Sequence, residues 1–85
     1  MSETQTATLT FGQKAVGLTF NHGVGEIHEQ VNKAKQLCAE AIDQMNDLKN
    51  NAQPHQNEYK ALCTIAIRSL QLAQMNMVKA ITWKD

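Results

Sequence analysis

The side chains able to hold a metal or attack a substrate are His22, His28, His55, Cys38 and Cys63. None falls in a C-x-x-C or H-x-x-x-H pair, the spacings that bring two ligands onto one ion. No metal and no cofactor is expected. In an antiparallel helical hairpin pivoting near Gln53 and Pro54, Cys38 faces about Ser69. The two sulfurs are then offset by roughly six residues, or ~9 Å of helix rise, which exceeds disulfide reach. Both cysteines lie on apolar seams and are expected as buried thiols. Asp43 and Asp47 have i,i+4 spacing, that of a solvated helix face. No Ser/His/Asp or Cys/His pairing has a supporting motif. The four glycines form no phosphate loop, and G-x-x-x-x-G-K is absent. Catalytic residues are therefore none, and an enzyme is not expected.

The charge distribution points to binding instead. Between Tyr59 and Lys84 stand four cations, Lys60, Arg68, Lys79 and Lys84, and no acid. Their polar neighbours Thr64, Ser69, Gln71, Gln74 and Asn76 are neutral hydrogen-bonders. Cations and amides without carboxylates suit a phosphate-bearing ligand, which carboxylates would repel. An ordinary polar helix face has the same composition. Phe20 is followed by Asn21 and precedes a helix, so it is either core filler or a stacking platform for a base, with Asn21 reading polar edges. Lys35, on that helix, is expected to face solvent within reach of a phosphate. Phe11, Tyr59 and Trp83 are expected in the core or at an interface.

The elements that position these residues follow from periodicity. Eighty-five residues make a single domain, 1–85, with 42% hydrophobic residues and eight acids balancing eight bases. Residues 1–6 are a polar tail. Residues 7–20 alternate apolar and polar around Gly12-Gln13-Lys14-Ala15, the pattern of a β-hairpin. A helix is expected over 26–49, with Ile27, Val31, Ala34, Leu37, Cys38, Ala41, Ile42, Met45 and Leu48 on its stripe. Pro54 interrupts, Asn57 can cap, and a second helix runs over 58–82. Its expected seam is Leu62, Ala66, Ile67, Leu70, Ala73 and Met77. Ile65, Leu72, Met75, Val78 and Ile81 spill beyond what one antiparallel partner covers, which predicts self-association. The fold class is thus mainly α: an N-terminal β-hairpin followed by two long antiparallel helices, assembling into a homo-oligomer. No apolar run approaches a membrane span, and no charged stretch with an apolar core marks a signal peptide. Zero net charge argues against DNA or general nucleic-acid binding. Two cysteines do not make a disulfide scaffold.

Three segments carry a resemblance: Thr10-Phe11-Gly12-Gln13-Lys14-Ala15-Val16-Gly17-Leu18-Thr19-Phe20-Asn21, then Ala34-Lys35-Gln36-Leu37-Cys38-Ala39-Glu40, and the ending Ala73-Gln74-Met75 with Val78-Lys79-Ala80-Ile81-Thr82-Trp83. Together they resemble the domain shared by phage anti-CBASS and anti-Thoeris cyclic-nucleotide sponges. The resemblance implies a compact helical protomer in a homohexamer, acting in the host cytoplasm. It implies sequestration, without cleavage, of cyclic dinucleotides, cyclic trinucleotides or cyclic ADP-ribose isomers. Residue by residue, Phe20 takes the place of the base-stacking aromatic, beside Asn21. Lys35 takes that of the phosphate-binding lysine. Lys60 and Thr64 match a basic residue and threonine one turn apart in a second pocket, and a one-turn slip brings in Arg68. Many relatives read Phe-Asn-Pro where this chain has Phe20-Asn21-His22, a looser turn. The competing expectation, from another class, is a structural helical-hairpin adaptor whose second helix docks a phage or host protein.

Overall fold

A computed structural model describes residues 9–17 and 25–84. Three helices follow in order: α1 (Phe11–Ala15), α2 (Gly25–Asn50) and α3 (Asn57–Thr82). The protein is mainly helical, and none of the described residues is in a strand. The two long helices match the expected 26–49 and 58–82 to within a residue at each end. Gln56, not Asn57, precedes the first turn of α3, and its side chain caps nothing there. Gln56 Oε1 instead accepts from the Gln53 backbone N–H at 2.7 Å, inside the connector.

The expected hairpin is overturned where it falls on described residues. Residues 11–15 form a helix, not the end of a strand and a turn. The remainder of the expected strands, 7–8 and 18–20, lies outside the described residues. The reason is local. Thr10 Oγ1 accepts from Gln13 N at 3.0 Å, and Gln13 Oε1 accepts from Thr10 N at 3.0 Å. This reciprocal pair satisfies two otherwise unpaired N–H groups and starts a helix. Gly17, at φ +63°, ends it in the left-handed region that glycine enters without penalty.

α1 then docks on α2. The Gly12 N–H donates to Asp43 Oδ1 at 2.7 Å. A Cβ on Gly12 would run into the Ala39 carbonyl, so the close approach needs glycine. From α3, Gln71 Nε2 donates to the Ala15 carbonyl at 3.3 Å. Beneath, Val16, Cys38, Ala39, Ile42 and Ile67 form the core, with Ala15, Met45 and Leu70 packed against it. Burying side chains such as Val31 and Ile42 completely contributes about 1.5–3 kcal/mol each.

α3 is rotated relative to the expected seam. Its buried residues are Cys63, Ile67 and Gln74, while Leu62 is 54% exposed. The helix carries apolar residues on most of its circumference, so hydropathy does not select a face. Packing against α1 and α2 does. The register along the axis differs too. Cys38 Sγ lies 3.6 Å from Met77 Sδ rather than opposite Ser69, so the connector advances the chain before α3 turns back. Cys38 and Cys63 are both buried free thiols, as expected. Among the described residues, no helix is long and apolar enough to cross a membrane.

Candidate functional site

α1 bridges one side of the α2–α3 pair and leaves a cleft of about 480 Å³. Phe11 stands at its edge, 49% exposed, held by the capping box and the Gly12–Asp43 bond. Lys49 from the last turn of α2 and Arg68 from α3 supply two cations. Asn46, Thr64 and Gln71 supply neutral hydrogen-bonding groups, and Ile67 an apolar patch. Among the described residues, no carboxylate lines the cleft. The nearby Asp43 carboxylate is engaged by the Gly12 N–H.

Each lining group has a definite chemical capacity. The guanidinium of Arg68 forms paired, charge-assisted hydrogen bonds to phosphate oxygens, and Lys49 adds a point charge. The ring of Phe11 offers a face for stacking on a base. Thr64 Oγ1 donates to the Lys60 carbonyl at 3.2 Å, which leaves its oxygen able to accept a further bond. Gln71 uses an amide N–H on Ala15, so it also fixes the α1 side of the cleft.

The expected site residues separate. Thr64 and Arg68 come together in the cleft. Lys60 is one turn earlier on α3, half-buried and outside the lining. Phe20 and Asn21 lie outside the described residues. Lys35 departs most from expectation: it does not face solvent. It is 1% exposed, and its Nζ donates to the Gly17 carbonyl at 2.9 Å. Burial lowers its pKa from the ordinary lysine value, because the charged form loses hydration. Lys49, Asn46, Gln71 and Phe11 line the cleft without having been assigned to it from sequence. Phe11 was expected in the core or an interface; it is not in the protomer's core but half-exposed at the cleft edge. The Thr10–Gln13 spacing was the signal available for α1, since it fits a capping box.

Comparison with known proteins finds no matching family model, no matching curated protein and no matching solved structure.

Proposed function

We propose that this protein binds and sequesters a cyclic oligonucleotide or cyclic ADP-ribose-type messenger without cleaving it, serving a phage against host defence in the host cytoplasm. The observation that carries the proposal is the cleft: Lys49 and Arg68 beside the exposed ring of Phe11, with no carboxylate in the lining among the described residues. Such a site attracts phosphate and stacks a base. It offers no nucleophile paired with a general base, so binding is its chemistry. Its volume falls within the range of small-ligand pockets. Phe20 and Asn21 join the proposal as stacking and edge-reading groups on the segment after Gly17. Lys35 enters as the residue that holds Gly17, and thereby the start of that segment.

A sequestering protein must hold free messenger below the threshold of its effector, which calls for nanomolar affinity, roughly −12 kcal/mol. Closure of pockets by neighbouring copies in a homo-oligomer, with six as the expected number, would raise the buried fraction of the ligand. The test is a thermal-shift panel of cyclic dinucleotides, cyclic trinucleotides and cyclic ADP-ribose isomers, each beside its linear form. At least one cyclic compound should raise Tm, its linear form should not, and heating should release it intact. Altered nucleotide would indicate an enzyme. No response to any cyclic compound would sink the proposal and favour the adaptor, which the exposed Leu62, Ile65 and Leu72 of α3 would then serve.

A further inference from the structure

The outer side of α3 carries apolar residues that none of the other described residues covers. Ile65 is 57% exposed and Leu72 58%. Each lies two residues from a buried one, Ile67 and Gln74, and so about 200° round the helix from it. Ile65 and Leu72 belong to a regular series. Glu58, Ile65, Leu72 and Lys79 recur every seven residues, a spacing that keeps them on one stripe with about 20° of drift per step. Glu58 and Lys79 are exposed as well. The series runs acid, apolar, apolar, base. Reversed end for end, it places each charge opposite its complement and each apolar residue opposite the other.

We propose that α3 pairs antiparallel with α3 of a second copy of this chain, across a two-fold axis beside Ser69. In this register Ile65 of each copy meets Leu72 of the other, and Glu58 of each meets Lys79 of the other. The contact is isologous, so every interaction occurs twice. Ser69 is small and sits at the crossing, where two helices must come closest. A parallel pairing would set Glu58 on Glu58 and Lys79 on Lys79, and repulsion disfavours it. The chain itself supplies the complementary charges, which is why the occupant is a second copy and not a foreign helix. Lys79 is also steadied at its place, with Nζ 5.7 Å from the centre of the Trp83 ring. Arg68 also falls near the axis, but its side chain lines the cleft with Phe11, Lys49 and Thr64, which carries its charge toward the protomer's own side.

The pairing rests on the self-association in the proposed function and not on any ligand. It is tested by sedimentation equilibrium of the full chain, with helix content followed by circular dichroism. Ile65→Glu and Leu72→Glu should each dissociate the pair while keeping the helix signal, because both side chains are exposed in the protomer. Glu58→Lys and Lys79→Glu should each weaken association about five- to ten-fold, since two surface ion pairs become like-charge contacts. The double variant should return to within about two-fold of the wild type, because each exchanged charge again faces its complement. A double variant no better than the singles overturns the register. Unchanged mass in both Ile65→Glu and Leu72→Glu overturns the interface while leaving an oligomer. A monomeric wild type overturns both the interface and the assembly. Messenger binding is measured separately in the thermal-shift panel, so failure of the pairing and failure of sequestration are distinguishable.

Discussion

Lys35 and Lys49 stand on the same helix, fourteen residues apart, or roughly 21 Å of rise. The first is 1% exposed and clamps the Gly17 carbonyl, closing the end of α1 onto α2. The second lines an open cleft with Arg68 beside the half-exposed ring of Phe11. The same side chain is a structural tether in one place and a candidate ligand contact in the other. Burial makes the difference. An ammonium taken out of water is held by whatever accepts its hydrogen bonds, whereas one in a wet cleft retains its charge for an incoming anion. Two regions of one short protein thus separate a structural tether from a candidate binding cleft, although both depend on where α1 sits.

The largest effect should come from removing that common dependence. Gly12→Ala drives a Cβ into the Ala39 carbonyl and displaces the N–H that Asp43 holds. Stability should fall by about 2–3 kcal/mol, the scale of overpacking a tight contact. Phe11 should also leave the cleft edge. A denaturant series would report the stability, and ligand titration the cleft. An unchanged midpoint would mean that α1 is not docked as described.

A narrower pair of variants separates the two cations. Arg68→Ala should weaken binding of a responsive cyclic nucleotide by about 1.5–3 kcal/mol, as loss of a charge-assisted hydrogen bond does. Its Tm in the absence of ligand should remain near that of the wild type, because Arg68 is exposed. Lys35→Ala should do the reverse. It should cost about 1–3 kcal/mol of stability, with the Gly17 carbonyl losing its donor, and change affinity per folded site little. Isothermal titration beside thermal melts gives both quantities. If Lys35→Ala lowered affinity without lowering Tm, Lys35 would be a direct ligand contact and the contrast would fail.

The smallest effect is the pH dependence. The folded state lowers the Lys35 pKa below its ordinary 10.5. Between the lowered value and 10.5 the unfolded chain binds more protons than the native one, so this group makes stability rise with pH. Below that window, burying the charge costs stability. Cys38 acts in the opposite sense. Burial raises its thiol pKa above 9.0, so from 9.0 upward the unfolded chain ionises first and stability falls. Lys35→Met should therefore abolish the rising contribution and leave the falling one. Melts across alkaline pH would show the wild type losing less stability than Lys35→Met as pH increases. Parallel curves would mean that Lys35 does not titrate as its burial requires.

The two long helices were legible in the sequence because their signals are local. A three-and-four spacing of apolar residues, Glu26 at one end, Lys49 at the other and Pro54 in the connector bound them to within a residue. The thiols of Cys38 and Cys63 were legible as buried from their placement on apolar seams, and as unbridged from their axial offset, although the register behind that offset differs in the structure. α1 was misread although its Thr10–Gln13 signal is also local, because five or six alternating residues fit a strand as readily as a single helical turn. Two residues of the candidate site were legible as well: Thr64 and Arg68 are neighbours on one helix face, and their character needs no partner to define it.

Sequence by itself determined the helical hairpin, its bounds, the acid-free stretch of α3 and the seven-residue series of Glu58, Ile65, Leu72 and Lys79. Tertiary structure alone decided which side of α3 faces inward, that Lys35 is buried, and that Phe11, Lys49 and Arg68 meet across three helices. The physical reason is the same in each case. Periodicity and capping act over a turn or two of one chain segment, whereas rotation, axial register and burial depend on how the surfaces of separate segments fit. A helix apolar on most sides carries no instruction about which side to bury. The fit of Gln71 against Ala15 and of Met77 against Cys38 supplies it.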